Sequence, residues 1–118
     1  MKKEECKNGL ACEENLEKMK NKLQSNEEME RICNVFRMLG EPSRLKLVLA
    51  LLEGEACVYH LTKYCGGTQS GTSHQLRVLK DNKVVKSRRE GQNVLYSIAD
   101  EHIEKILEIG ALHANCDR

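Results

Sequence analysis

Apolar positions repeat at helical spacing along most of the chain and at strand spacing only near its end. Leu16, Met19 and Leu23 recur every three or four residues with Glu and Lys between them, which predicts a helix. Ser25 with Glu28 three residues on forms a capping box. It opens a second helix whose Met29, Ile32, Cys33, Phe36 and Leu39 make an apolar stripe. Gly40 ends that helix, and Pro42 suits the first turn of a third. From Ser43 to Glu53 the third helix is apolar nearly all round, the pattern of a central buried helix, and Gly54 stops it. A short helix is expected over about residues 57–64, with Val58, Leu61 and Cys65 inward. Gly66-Gly67 makes a turn, and Thr68 is a fitting N-cap for a helix reaching Lys80. The period then changes. Residues 83–88 and 93–98 are rich in β-branched side chains around Arg89-Glu90-Gly91-Gln92, which predicts a hairpin. A last helix runs from near Asp100 to about Asn115.

The fold class expected from this order is mainly α with a small β-hairpin. A short helix, a glycine turn, a second helix and a basic hairpin is the layout of a winged helix-turn-helix. Residues 1–24 read as an N-terminal arm and dimerisation helix. Residues 25–118 read as the winged domain, ending in a helix expected to serve dimerisation and metal sensing. With 118 residues, one Phe and no Trp, the core is small and aliphatic, and such cores often gain stability by pairing. A homodimer is therefore expected. No apolar run approaches the roughly 20 residues needed to span a bilayer. Met-Lys-Lys-Glu-Glu-Cys is followed by charge rather than an apolar stretch, so a cytoplasmic location is expected. The six cysteines are accordingly read as reduced thiols, with Cys33 and Cys65 in core stripes.

The net charge of +1 argues against holding nucleic acid by bulk electrostatics, but the charge is unevenly spread. Between His74 and Asn93 stand Arg77, Lys80, Lys83, Lys86, Arg88 and Arg89 against only Asp81 and Glu90. On the helix after the glycine turn, Thr72, Leu76 and Leu79 share one face at 100° per residue. Ser70, Ser73, His74 and Arg77 lie opposite. These are short hydrogen-bonding groups and one cation near the end that would enter a major groove. Gln69 could pair with adenine, and Arg77 with guanine or phosphate. Arg88 and Arg89, expected at the hairpin tip, suit phosphate or the minor groove. Any solvated helix face can look like this one. The glycine turn before it and the basic hairpin after it favour double-stranded DNA as the partner.

Three segments together, Leu39-Gly40-Glu41-Pro42-Ser43-Arg44-Leu45, Thr68-Gln69-Ser70-Gly71-Thr72-Ser73-His74-Gln75-Leu76 and Arg89-Glu90-Gly91-Gln92-Asn93-Val94-Leu95-Tyr96, resemble the ArsR/SmtB family of metal-sensing repressors. The resemblance runs from about Glu28 to Cys116. It implies a homodimer that binds operator DNA when metal-free and releases it when metal binds. Gly67 and Gly71 depart from the family pattern, which has an apolar and a small non-Gly residue there. A helix-interior Gly costs about 1 kcal/mol, so a softer reading helix is expected.

On the last helix, His102, Ile106, Ile109, His113 and Cys116 fall on one stripe, with Asp100 just before it. Asp100, His102, His113 and Cys116 are all ligand types for zinc. Eleven residues put His102 and His113 about 16 Å apart along the axis, so one helix cannot close a site. Two antiparallel copies could, with Asp100 and His102 from one chain meeting His113 and Cys116 from the other. The same residues also admit a capping Asp100 and ordinary interface histidines. The resemblance favours the metal: zinc-sensing members carry Asp-x-His at the start of this helix and His-x-x-His or His-x-x-Glu near its end. Cys116 in the last place favours softer ions such as Cd(II) beside Zn(II). Cadmium- and lead-responsive members combine N-terminal cysteines with Cys-x-Cys before the glycine turn. Cys57 matches the first of that pair, Tyr59 replaces the second, and His60 stands one residue on. Cys6, Cys12, Cys57 and His60 are therefore a second candidate set, suited to Cd(II) or Pb(II). The other reading leaves Cys57 buried and the N-terminal pair idle.

A thiol-based redox or persulfide sensor on the same scaffold is the alternative function. An enzyme is not expected. No glycine-rich phosphate loop follows a strand, no nucleophile–base set has a recognisable setting, and no small-molecule substrate is implied. A plain scaffold would leave the Gln69 to Arg77 face without purpose.

Overall fold

The computed structural model describes residues 9–22 and 25–116, the side chains of residues 10 and 11 excepted. In order, the elements are α1 (Leu10–Lys22), α2 (Asn26–Leu39), α3 (Pro42–Leu51), β1 (Ala56–Cys57), α4 (Val58–Cys65), α5 (Gln69–Asp81), β2 (Val85–Glu90), β3 (Asn93–Ile98) and α6 (Glu101–Ala114). The chain divides into two compact units, and the boundary falls within α2, after Ile32.

Local chemistry sets most element ends. In the first unit, the Glu28 N–H donates to Ser25 Oγ at 3.1 Å, the capping bond expected at the start of α2. In the second, Glu41 caps α3: its carboxylate accepts from the Ser43 and Arg44 N–H groups, and Pro42 occupies the first turn, where its missing N–H costs nothing. Thr68 caps α5 by accepting from the Gly71 N–H at 3.0 Å. Gly66 and Gly67, at φ of 85° and 84°, take the left-handed backbone that only glycine enters cheaply, and so reverse the chain between α4 and α5. Gly71 has a different reason. A Cβ there would meet Thr68 Oγ1 at 3.2 Å, crowding the capping hydroxyl.

The second unit is built on α3. Leu47, Val48 and Leu51 are buried, and Leu61 of α4, Leu76 and Leu79 of α5, Val85 and Ile98 of the sheet, and Ile103 and Leu107 of α6 close around them. The sheet is antiparallel in the order β1-β3-β2. Its register sets Arg88 opposite Leu95, and Leu95 opposite Cys57. Among the described residues no helix is long and apolar enough to cross a membrane.

Four details differ from the sequence expectation. β1 makes the hairpin a three-stranded sheet, and Cys57 ends that strand as the α4 N-cap instead of opening the helix. Pairing with β3 creates this two-residue strand, and no periodicity announces it. Lys83 lies in a turn at φ 62° before β2 begins. The wing turn is only Gly91-Gln92, with Gly91 at φ 63°, so Arg88 and Arg89 stand in β2 and not at the tip. Cys33 is exposed, as are Met29, Ile32 and Phe36 of its stripe, whereas Leu39 at the end of the stripe is buried.

The two capping carboxylates predict an acid-sensitive fold. Ser43, first through its hydroxyl, holds Glu41 below the ordinary carboxylate range, and the Ile103 and His102 N–H groups do the same for Asp100. A carboxyl with a lower pKa folded than unfolded adds stability that is complete above its unfolded pKa. That stability is lost as pH falls through the ordinary range, about 4, toward the depressed value. Urea titrations from pH 7 to pH 2.5 should therefore show stability falling on this acid limb. Glu41→Gln with Asp100→Asn should flatten it.

Candidate nucleic-acid interface and metal-binding helix

The buried and exposed positions of α5 divide by face. Thr72, Leu76 and Leu79 are buried against the core, whereas Gln69, Ser70, His74 and Arg77 are exposed and Ser73 is half-buried. The outer face therefore presents an amide, two hydroxyls, an imidazole and a guanidinium from a helix whose inner face is fixed by packing. Helical N–H groups at its amino end add partial positive charge. Among the described residues Arg77 makes no ion pair.

In the wing the two arginines diverge. Successive strand residues point to opposite faces, so Arg88 and Arg89 cannot act alike. Arg89 makes no ion pair among the described residues. Arg88 is bound through all three guanidinium nitrogens. Nε donates to Glu55 Oε2 at 2.9 Å, Nη2 donates to Glu55 Oε1, and Nη1 donates to Glu90 Oε2 at 2.8 Å. The paired hydrogen bonds raise the Arg88 pKa further, Glu55 contributing first and Glu90 next, and Arg88 lowers that of Glu55. Sequence reasoning missed Glu55, which lies 33 positions from Arg88 and carries no motif.

Asp100 does cap α6. Its Oδ1 accepts from the His102 and Ile103 N–H groups at 2.9 and 3.2 Å, and lies 3.4 Å from His102 Nδ1. All these contacts use one oxygen. His102 is 80% exposed and Asp100 54%, so both remain open to a ligand. His113 and Cys116 are exposed at the other end of α6, where the Cys116 N–H donates to the His113 carbonyl at 3.2 Å. Within the chain these two donor pairs stay apart, and no three candidate ligands come together among the described residues. Each pair alone supplies two of the four donors that a tetrahedral site takes. The residues fit a metal only where a second chain supplies the other half.

Of the second candidate set, Cys57 Sγ and His60 Nδ1 lie 3.1 Å apart at the start of α4, and the Tyr59 ring meets His60 edge-on at 5.3 Å. Cys12 belongs to α1 in the first unit, and Cys6 lies outside the described residues, as does Leu23. Cys65 packs half-buried against the core, where desolvation pushes its thiol pKa up.

Residues 41–87 match the model of the bacterial regulatory protein, arsR family. A transcriptional repressor SmtB homolog from Synechocystis sp. is 35% identical over 108 residues, covering 92% of this chain and 82% of the relative. The chain belongs to the ArsR/SmtB family. A cadmium resistance transcriptional regulatory protein CadC homolog from Staphylococcus aureus is 37% identical over 83 residues, 70% of this chain and 69% of that one. In structure, the homodimeric winged helix-turn-helix DNA-binding domain of a Mycobacterium bovis protein superposes with a TM-score of 0.72 at 26% identity, covering 78% of this chain and 88% of that one. The ArsR/SmtB relatives are transcriptional regulators, not enzymes, and the winged helix-turn-helix they share with this chain is a DNA-binding fold.

Proposed function

We propose that this chain is a homodimeric repressor that binds double-stranded operator DNA when metal-free and releases it on binding Zn(II), Cd(II) or Pb(II). The observation that carries this reading is the division of exposed donors between the ends of α6, Asp100 and His102 at one and His113 and Cys116 at the other. Such halves suit two copies running antiparallel, which would close two equivalent sites across a two-fold axis. The surface between them suits the same pairing. Ile109 is 65% exposed and Leu112 73%, and Phe36, Leu45, Ile106 and Gly110 line an apolar groove of about 530 Å³. Gln69, Ser70, Ser73, His74, Arg77 and Arg89 are the residues assigned to DNA. Metal bridging the protomers would fix the distance between the two α5 helices, whose half-sites lie about 34 Å apart on one DNA face. A Cys116 thiolate favours the softer ions, and the names of the SmtB and CadC homologs fit a metal effector.

Fluorescence anisotropy of the reduced, metal-free protein on DNA from upstream of its own gene tests the reading. Zinc or cadmium should weaken binding by roughly 5- to 150-fold at fixed salt, the usual range of allosteric coupling. A change below about threefold would overturn it.

The Cys57–His60 contact favours a second reading, thiol-based sensing on the same scaffold. His102→Ala separates the two, because a thiol switch needs no imidazole on α6. On the first reading this variant stays on DNA when metal is added. On the second it still leaves DNA when oxidised or persulfidated.

A further inference from the structure

We propose that Glu55 acts as an internal stand-in for a DNA phosphate, occupying Arg88 and keeping it out of the DNA contact, so that Arg88 adds a phosphate contact only when this carboxylate is lost. The inference rests on the DNA-binding reading above and concerns one residue of its interface.

The geometry is that of anion recognition. Nε and Nη2 of Arg88 face the two oxygens of Glu55, the fork that guanidinium also offers to phosphate. Nη1 faces Glu90, so three of the five N–H donors are engaged and the fork held by Glu55 is closed to a second anion. Sheet order explains how residues 33 positions apart meet. Arg88, Leu95 and Cys57 lie in one row across β2, β3 and β1, and Glu55 is two positions before Cys57. Two strand spacings are about 9–10 Å, within reach of an arginine side chain crossing the central strand. Arg77, Lys86 and Arg89 have no such partner among the described residues. The pair stays wet, with 52% of Arg88 and 37% of Glu55 exposed.

Salt dependence reads the freeing of Arg88 directly. Each phosphate contact adds about 0.9 to the slope of log affinity against log salt, or about 3.5-fold between 50 and 200 mM. In Glu55→Gln the fork loses its charge, and Arg88 of each protomer becomes available. On duplex DNA, metal-free Glu55→Gln should bind more tightly than the parent at 50 mM salt. It should then lose about 12-fold more affinity on going to 200 mM, two contacts per dimer. Arg88→Ala should abolish that increment in the Glu55→Gln background and change the parent slope little. An unchanged slope in Glu55→Gln, or an equal loss of slope from Arg88→Ala in both backgrounds, would overturn the proposal while leaving DNA binding intact. No binding by either protein at 50 mM salt would overturn both.

Discussion

Mixing a variant that lacks Asp100 and His102 with one that lacks His113 and Cys116 should restore metal-triggered DNA release that neither shows alone. Each homodimer keeps two copies of the same half-site, at opposite ends of α6 and about 20 Å apart along the axis for Asp100 and His113. In the mixed dimer, His113 and Cys116 of the first chain meet Asp100 and His102 of the second. One complete four-donor site forms and its twin has no ligands. Release in the mixture should therefore appear with about half the metal stoichiometry of the parent protein per dimer formed. The parent effect of roughly 5- to 150-fold should fall to nothing in either variant alone. Because coupling is reciprocal, DNA should also weaken metal binding by the same factor in the parent and in neither variant. Retained release in either unmixed variant would place the metal within one chain and remove the interchain reading. Asp100 needs a control, since its Oδ1 also caps α6. Asp100→Asn keeps the capping acceptor and removes the charge, so it should spare the helix and lose metal affinity.

Much of this arrangement was legible from spacing. Thr72, Leu76 and Leu79 form the buried face of α5 because a 3.6-residue period leaves no other stripe of that kind on the segment. Thr68 and Asp100 were readable as caps because their side chains bond backbone two or three positions on, a purely local event. What escaped depends on residues distant in sequence. β1 exists because Ala56 and Cys57 find Tyr96 and Leu95, and two residues have no period. Arg88 looked like a bare cation at a hairpin tip, whereas Glu55 and Glu90 engage all its nitrogens. Cys33 sits in an apolar stripe, as read, but a stripe says only that something should cover it, not that the same chain does. The donors of α6 pose the same problem in sharper form. Their stripe is visible in one sequence, and on the interchain reading their partners lie in another copy.

Leu76→Ala should cost about 2–5 kcal/mol of stability, whereas Arg77→Ala, one position on, should cost almost none and weaken DNA binding instead. Leu76 has no exposed surface and packs in the core with Leu79 and Leu47. Removing its three outer carbons leaves a cavity that a close-packed interior closes only in part. For a domain with a total stability of about 5–15 kcal/mol that is a large share, and a fall in Tm of more than about 10 °C is expected. Arg77 is exposed and unpaired among the described residues, so its loss should stay within about 0.5 kcal/mol of the parent in the same melt. On DNA the order reverses. Arg77→Ala should lose about 1–3 kcal/mol of binding while its fold stays intact. Leu76→Ala, measured well below its Tm, should lose affinity only as far as the α5 helix is displaced. The melts need several protein concentrations, because a dimer gains stability by mass action and a shift in pairing would otherwise pass for a shift in packing. If Arg77→Ala lowers Tm as much as Leu76→Ala does, the outer face of α5 is structural. Its polar residues would then have to be explained by a packing partner and not by a groove of DNA.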